Sequence, residues 1–229
     1  MKLKLREAAE ILNVPEGAVL RWIREKGLPA HRMGEQYSFH RIELLEWATS
    51  RGIRTSPGIL RASESASSAG LADVLSRGGI AYGLKGSDRK GALRAVVEAL
   101  PLPSGSNRDL LLEVLLARED LGTTALGDGI AIPHVRSPIV VRVEAAAVFL
   151  SFLENGVDFG APDGKPVSIL FTLLTPTVQA HLHLLSRLAG ALQDPAFKGL
   201  LARQAPREEI LAEVRRLDAA ANGNGGKGA

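Results

Sequence analysis

The chain has 229 residues, of which 45% are apolar and 23% charged, and this composition is typical of a globular protein with a sizeable core. It contains no cysteine, which excludes disulfides, cysteine–zinc sites and thiol catalysis. The net charge of +3 is uneven, because residues 1–61 carry 11 Lys and Arg against 7 Glu, whereas the remainder carries 17 basic against 18 acidic residues.

The basic excess of the N-terminal segment permits contact with nucleic acid there. Neither a membrane span nor a secretory leader is predicted. No apolar run reaches the roughly 18–20 residues that a spanning helix needs. The charged N-terminus, MKLKLREAAEIL, lacks the apolar segment of a signal peptide. We therefore predict a soluble, cytoplasmic protein without membrane insertion.

Composition also divides the chain into segments. The stretch GIRTSPGILRASESASSAG is dense in Ser, Gly and Ala, as linkers are. The final stretch, NGNGGKGA, has the composition of a disordered tail. We predict a small domain over residues 1–51, a linker over 52–70, a larger domain over 71–220 and a disordered tail over 221–229.

The small domain has the element order of a helix-turn-helix. Apolar residues recur three and four positions apart between Leu5 and Leu12, which predicts a short amphipathic helix. Pro15 suits the first turn of a second helix, and Gly27 suits its end. The alternating stretch 36–39 predicts a small strand or wing, and apolar residues between 42 and 47 predict a closing helix.

The string LREAAEILNVPEGAVLRWIREKGLPAHRMGEQYSFHRIELLEWA, within residues 3–48, resembles the excisionase/MerR-type helix-turn-helix family. The resemblance implies DNA as a partner. Four basic residues are candidates for contacts to the DNA backbone: Arg21, Arg24, Lys26 and Arg32. The second helix departs from the family's pattern, because Glu16 repels phosphate and Gly17 and Ala18 cannot bind base edges. A retained fold that contacts protein is therefore the alternative.

The larger domain alternates helices with β-rich apolar runs. Ser87 and Asn107 are predicted N-caps of two helices, and further helices are expected at about 178–193 and 207–219.

Val143 to Phe152 and Val167 to Leu174 are near-continuous apolar runs, typical of strands covered on both faces. The predicted fold class is α/β (α+β), a mixed β-sheet flanked by helices. A small, mainly helical helix-turn-helix (winged) domain precedes it.

The stretch REDLGTTALGDGIAIPH places His134 at the end of a constrained apolar strand. Gly127 and Gly129 allow backbone geometry that a side chain would forbid, and Pro133 holds Ile132 in an extended conformation. An imidazole held in this way suits nucleophilic chemistry, because the neutral ring presents a nitrogen lone pair. A histidine that merely ends a strand is the alternative, and spacing alone does not decide between them.

A second histidine occupies the first turn of the helix predicted at 178–193. His181 falls within the buried stripe of this helix, whereas His183 is predicted on the opposite side, facing solvent. Backbone donors and the helix dipole favour an anion at that turn. A core histidine with one hydrogen bond is the alternative. A metal site built from these histidines and His134 is disfavoured, because the two helical ones do not share a face.

Three strings, RED-LGTT-ALGDGIAIPH, DFGAPDGKPV and HLHLLSRLA, strongly resemble the phosphotransferase-system EIIA domain of the fructose/mannitol/nitrogen-regulatory type. The resemblance covers about residues 71–218, and its Gly-x-Gly-Ile-Ala-Ile-Pro-His motif is highly specific. The fold that it implies is a mixed sheet flanked by helices.

The resemblance also implies roles for five residues. His134 would accept a phosphoryl group from phosphohistidine on HPr or a paralogue, His181 would be the second active-site histidine, and Arg118 would hold phosphate charge. Thr123 and Thr124 match small hydroxyl residues that support the phosphate site. The resemblance implies neither a cofactor nor a metal.

These observations predict a regulatory EIIA protein of the nitrogen-regulatory or fructose-like type, acting through a phosphohistidine intermediate. No IIB or IIC segment accompanies the domain, whereas a DNA-binding-like module does. The expected partners are the phosphoryl donor, a IIB component or regulatory target protein, and DNA; a homodimer is compatible with the sequence. The alternatives are an EIIA subunit of sugar transport that passes phosphate to a separate IIB, and a transcription factor whose EIIA-like domain only senses.

Overall fold

A computed structural model describes residues 2–33, 36–51, 53, 70–135, 143 and 145–223. The chain divides into two units, residues 1–67 and 68–229. Most of the predicted linker and the last six residues of the predicted tail lie outside the described residues. Among the described residues, no helix is long and apolar enough to cross a membrane.

The first unit has the predicted helix-turn-helix order with a small antiparallel sheet. Its elements are β1 (Lys2–Lys4), α1 (Leu5–Leu12), α2 (Glu16–Glu25), β2 (His31–Met33), β3 (Gln36–His40) and α3 (Arg41–Ser50). β3 lies between β1 and β2 and is antiparallel to both. The sequence did not predict β1, because three residues carry too little pattern.

The turn between α1 and α2 is closed by Asn13, whose φ is 53°, in the left-handed region. Gly27 has a φ of 63° and follows the end of α2, as predicted. The rings of Trp22 and Trp47 lie 5.5 Å apart, and the indole N–H of Trp47 donates to the carbonyl of Lys26 at 3.1 Å. These contacts fasten the end of α2 to α3.

The second unit contains a five-stranded mixed sheet between helices, which confirms the predicted fold class. Its elements are α4 (Leu71–Gly78), β4 (Ile80–Leu84), α5 (Arg89–Ala99), α6 (Arg108–Asp120), β5 (Ala125–Gly127), β6 (Ile130–Ala131), β7 (Ala147–Val157), β8 (Val167–Leu174), α7 (Val178–Ala191), α8 (Pro195–Ala202) and α9 (Arg207–Gly223). The strand order is β4-β7-β8-β6-β5.

Both faces of the sheet are covered, as the apolar runs predicted. One apolar cluster joins the sheet to residues of α4, α7, α8 and α9, and the other joins it to residues of α5 and α6. The free energy of this fold comes mainly from burying those two faces.

Strand direction brings two helix ends together. β6 and β8 are parallel, so their carboxyl ends meet at one edge of the sheet, and α7 begins there because it follows β8. β5 is antiparallel to β6, so β5 begins at that same edge, where α6 ends just before it. The end of α6, the end of β6 and the start of α7 therefore converge.

One local prediction of a helix cap was wrong, and another was confirmed. Asp88 rather than Ser87 caps α5, since the Gly91 amide donates to its carboxylate at 2.6 Å and a carboxylate accepts more strongly than a hydroxyl. Asn107 caps α6 as predicted. α8 was not predicted, although Asp194 followed by Pro195 is a helix-start signal.

A single carboxylate joins three helices at the start of the second unit. Asp218 on α9 accepts hydrogen bonds from the backbone amides of Leu71 and Ala72, at 3.0 and 2.9 Å. Arg187 on α7 donates to the same carboxylate at 2.7 Å. Asp218 thus satisfies amides at the first turn of α4, where Gly70 offers no side-chain cap.

Candidate active site

His134 lies at the carboxyl end of β6, as the sequence predicted. It pairs with Leu173 of β8 in a parallel bridge, and the Leu173 amide donates to the Pro133 carbonyl at 3.2 Å. The His134 side chain is buried, with 3% of its surface exposed. Backbone pairing therefore fixes where the imidazole emerges from the sheet.

Hydrogen bonds to both ring nitrogens define the tautomer of His134. Nδ1 lies 2.7 Å from the Ile132 carbonyl, and Nε of Arg118 lies 3.2 Å from Nε2. A guanidinium can only donate, so Nε2 must offer its lone pair. The proton of the neutral ring then sits on Nδ1 and is donated to Ile132, which leaves Nε2 as the nucleophilic nitrogen.

Arg118 reaches the ring from the last turn of α6. Its guanidinium also donates to the Gly122 carbonyl at 2.9 Å, just beyond the helix end. This second bond fixes the side chain relative to the loop that leads into β5. A planar guanidinium in this position suits the binding of phosphate oxygens.

His181 lies on the first turn of α7, which packs on the face of the sheet opposite to α6. Its ring centroid lies 5.0 Å from that of His134, with the planes inclined by 42°, and 2% of its surface is exposed. Thr177 caps this helix by accepting from the Ala180 amide at 3.1 Å. The predicted residues Arg118, His134 and His181 therefore lie in one cluster.

The two predicted threonines are placed differently. The Thr123 hydroxyl donates to the Phe159 carbonyl at 2.6 Å. The Thr124 hydroxyl and amide donate to the carboxylate of Glu119, at 2.6 and 2.8 Å. Both hydroxyls are thus engaged by other protein groups.

Glu119 was not predicted as a site residue, and only 2% of its surface is exposed. It follows Leu111 and Leu115 at intervals of four along α6, so it continues the buried stripe of that helix. A carboxylate at a position where the helical pattern predicts a buried apolar residue could have identified Glu119 from the sequence.

The prediction that His183 faces solvent was wrong, since only 4% of its surface is exposed. The prediction treats α7 as buried on one face, whereas α7 contacts both β8 and α4, so a wider arc of the helix is buried. Among the described residues, no group of three or more histidine, aspartate or glutamate side chains is arranged as metal ligands are.

Asp128 and Asp163 lie in turns near the amino end of β6. Asp128 has a φ of 52°, and its amide donates to the Asp163 carboxylate at 2.8 Å. A hydrogen bond from Lys198, aided by Lys165, holds the pKa of Asp128 below its usual range. Backbone hydrogen bonds from Asp128 and Lys165 likewise lower the pKa of Asp163.

The four basic residues predicted to contact the DNA backbone are all exposed. Arg21 and Arg24 lie on α2, Lys26 follows that helix, and Arg32 lies on β2. The Lys26 ammonium stands 5.4 Å from the centroid of the Trp22 ring, a cation–π distance. Helix-turn-helix proteins present their second helix to DNA.

Each of the two units matches a known protein family. Residues 73–216 match the family described as phosphoenolpyruvate-dependent sugar phosphotransferase system, EIIA 2, and residues 3–52 match a helix-turn-helix domain. A nitrogen regulatory protein of Bradyrhizobium diazoefficiens is 36% identical over 126 residues, which is 54% of this chain and 80% of that protein. A fructose-specific EIIA component of Haloferax volcanii is 34% identical, over 55% of this chain and 84% of that protein.

The crystal structure of the nitrogen regulatory protein IIA-Ntr from Neisseria meningitidis has a similar fold. Its TM-score is 0.55 at 33% identity, and the match covers 63% of this chain and 98% of that one. The chain therefore belongs to the EIIA 2 family of the phosphoenolpyruvate-dependent sugar phosphotransferase system, is related to its nitrogen regulatory proteins, and carries an N-terminal helix-turn-helix domain.

Proposed function

We propose that Nε2 of His134 accepts a phosphoryl group from the phosphohistidine of HPr or a paralogue, and that the protein acts in regulation. The observation that carries the proposal is the orientation of the His134 ring. Its Nδ1 proton is held by the Ile132 carbonyl at 2.7 Å, and its Nε2 lone pair points at a cation.

The transfer needs no base. The P–N bond of the donor phosphohistidine breaks, and the donor nitrogen keeps the electron pair. The Nε2 lone pair of His134 forms the new P–N bond, while the Nδ1 proton stays on the ring. Because the attacking nitrogen already carries its lone pair, catalysis consists of positioning and charge stabilisation.

Arg118 and His181 supply that stabilisation in the proposal. The phosphorus must approach along the lone-pair axis that Arg118 Nε now occupies, so the guanidinium turns from Nε2 to the phosphoryl oxygens. The His181 ring, with its centroid 5.0 Å from that of His134, is close enough to donate to one of those oxygens. Charge-assisted hydrogen bonds of this kind are about twice as strong as neutral ones.

The nitrogen regulatory relatives and the helix-turn-helix domain favour a regulatory role. A phosphoryl group adds negative charge at the surface around His134, which changes the partners that can bind there. The proposal includes a cytoplasmic location, where phosphoenolpyruvate and HPr are found. The fructose-specific relative supports a second candidate, transfer to a separate IIB component in sugar uptake.

The direct test is phosphorylation with phosphoenolpyruvate, Enzyme I and HPr or its paralogue. We expect acid-labile label on the wild type and none on His134→Ala. Adding purified IIB components then separates the two candidates, because passage of label to a IIB favours transport. Retention of the label, together with a protein partner that binds only one phosphorylation state, favours regulation.

We also propose that the helix-turn-helix unit contacts DNA through exposed Arg21, Arg24, Lys26 and Arg32. The first residues of α2, Glu16, Gly17 and Ala18, offer few groups for base recognition, so the contacts fall mainly on phosphates.

Fluorescence anisotropy with labelled duplex DNA over a range of salt concentrations tests this proposal. The slope of log K against log salt is negative, and each lost phosphate contact reduces its magnitude by about 0.9. Arg24→Ala and Lys26→Ala should each do so. Arg203→Ala, an exposed arginine of the second unit that pairs with Glu209, is the matched control. Equal slopes for all three variants and the wild type would argue for a protein partner instead.

A further inference from the structure

We infer that Glu119 is a positioning residue for the His134 imidazole, acting through Thr124 and Ile132. The inference rests on the proposed role of His134 as phosphoryl acceptor. It assigns a function to a buried carboxylate that does not itself touch the ring.

Glu119 is buried and holds Thr124 through two hydrogen bonds. Its carboxylate lies on the last turn of α6 with 2% of the residue exposed, and it accepts both the amide and the hydroxyl of Thr124, at 2.8 and 2.6 Å. A buried carboxylate depends on such donors, because without them its oxygens would be left unsatisfied away from water. The two bonds hold Thr124 from its backbone and from its side chain.

Thr124 in turn places the residue that orients His134. Its carbonyl accepts from the Ile132 amide at 3.0 Å, and the Ile132 carbonyl accepts the Nδ1 proton of His134 at 2.7 Å. Hydrogen bonds thus connect Glu119 to Thr124, Thr124 to Ile132, and Ile132 to the imidazole. A shift of Thr124 would therefore move the acceptor for Nδ1.

Two consecutive residues of α6 therefore control the orientation of the ring, one directly and one through other residues. Arg118 bonds Nε2 directly, and Glu119 governs the Nδ1 side through Thr124 and Ile132. Rotation of the imidazole would break both sets of contacts. This orientation keeps the proton on Nδ1 and the lone pair on Nε2 before the donor arrives, which is the preorganisation that group transfer requires.

Four variants test the inference: Glu119→Ala, Thr124→Val, Thr124→Ser and, as a matched control, Asp194→Ala. Thr124→Val removes the hydroxyl donor at nearly constant volume, and Thr124→Ser restores it. Asp194 caps α8, so its loss lowers stability without touching this series of contacts. The readouts are the ¹⁵N shifts of the two His134 ring nitrogens in unphosphorylated protein, the rate of phosphorylation by phospho-HPr, and Tm.

We expect Glu119→Ala and Thr124→Val to shift the ¹⁵N signals towards a mixture of tautomers and to slow phosphorylation by about 10- to 100-fold. Thr124→Ser should restore both, and Asp194→Ala should change Tm alone.

Wild-type shifts and rates in Glu119→Ala and Thr124→Val would overturn the inference. If Glu119→Ala does not fold, the Thr124→Val and Thr124→Ser pair decides by the same criteria. If the wild type takes up no phosphoryl group, the proposed function fails, whereas the ¹⁵N comparison still decides whether Glu119 orients the ring.

Discussion

Arg118 donates its Nε hydrogen to Nε2 of His134 across 3.2 Å, so a cation occupies the line along which a phosphoryl group would approach. The contact keeps the Nε2 lone pair directed at the guanidinium. It also places the guanidinium within reach of the charge that would develop during the proposed transfer.

Replacing Arg118 should slow phosphoryl transfer more than it changes binding of the donor protein. Arg118→Gln removes the charge, and we expect the transfer rate to fall about 100-fold, as for other groups that stabilise transition-state charge. Arg118→Lys keeps the charge but loses the planar fork, so its rate should be intermediate. Rapid-quench measurements with phospho-HPr check this. A wild-type rate in Arg118→Gln would show that the guanidinium has no part in the transfer.

His181→Ala should slow exchange of the phosphoryl group with HPr in both directions, because uptake and return pass through the same transition state. Loss of one charge-assisted hydrogen bond is worth roughly 1.5–3 kcal/mol, which corresponds to a rate reduced about 10- to 100-fold. The measurement is the rate at which labelled protein returns the group to HPr. His183→Ala is the matched control, because His183 is equally buried but lies on another side of α7. Equal rates for the two variants would contradict the role given to His181.

Asp218→Ala should destabilise the second unit without altering its chemistry. The substitution leaves two amides of α4 and the guanidinium of Arg187 without this carboxylate, and the Arg187 side chain is only 17% exposed. We expect a loss of about 2–3 kcal/mol and a fall in Tm of about 5–10 °C. Thermal unfolding followed by circular dichroism measures it. An unchanged Tm would show that the three-helix contact adds no stability.

The stability of the second unit should fall in acid partly through Asp194. A hydrogen bond from the Phe197 amide, and a further one from Arg216, hold the pKa of Asp194 below its usual value of about 3.9. A carboxyl whose pKa is lower in the folded state stabilises the fold above its unfolded pKa and loses that contribution as the pH falls through the folded pKa.

Asp194→Asn keeps an oxygen that can cap α8 but cannot ionise. The variant should therefore melt below the wild type at pH 7, and the difference in Tm should shrink as the pH falls below about 4. Paired melting curves across this range provide the measurement. A difference that stays constant with pH would exclude a contribution from the ionised carboxylate.

Much of this site could be anticipated from local sequence, and some of it could not. Pro133 and the glycines around Asp128 predicted His134 at the end of a strand. The apolar run from Val167 to Leu174 predicted the strand β8. The proximity of Arg118 to His181 came only from the family resemblance, because periodicity within one element says nothing about which elements meet.

Glu119 and His183 mark where local patterns failed. Glu119 stands in the charged run Arg-Glu-Asp, which is typical of an exposed helix end, and its burial depends on Thr124 turning back towards it. The burial of His183 depends on α7 being covered on more than one side. Both facts depend on tertiary packing, which no spacing rule within a helix contains.

The most direct test of the account is to identify the atom that carries the phosphoryl group. Protein labelled with ¹⁵N at histidine should be phosphorylated with phosphoenolpyruvate, Enzyme I and HPr, and the ring nitrogens of His134 then observed by NMR through their coupling to phosphorus. We predict phosphorus on Nε2, with the proton remaining on Nδ1. Phosphorus on Nδ1, on another residue or nowhere would contradict the account.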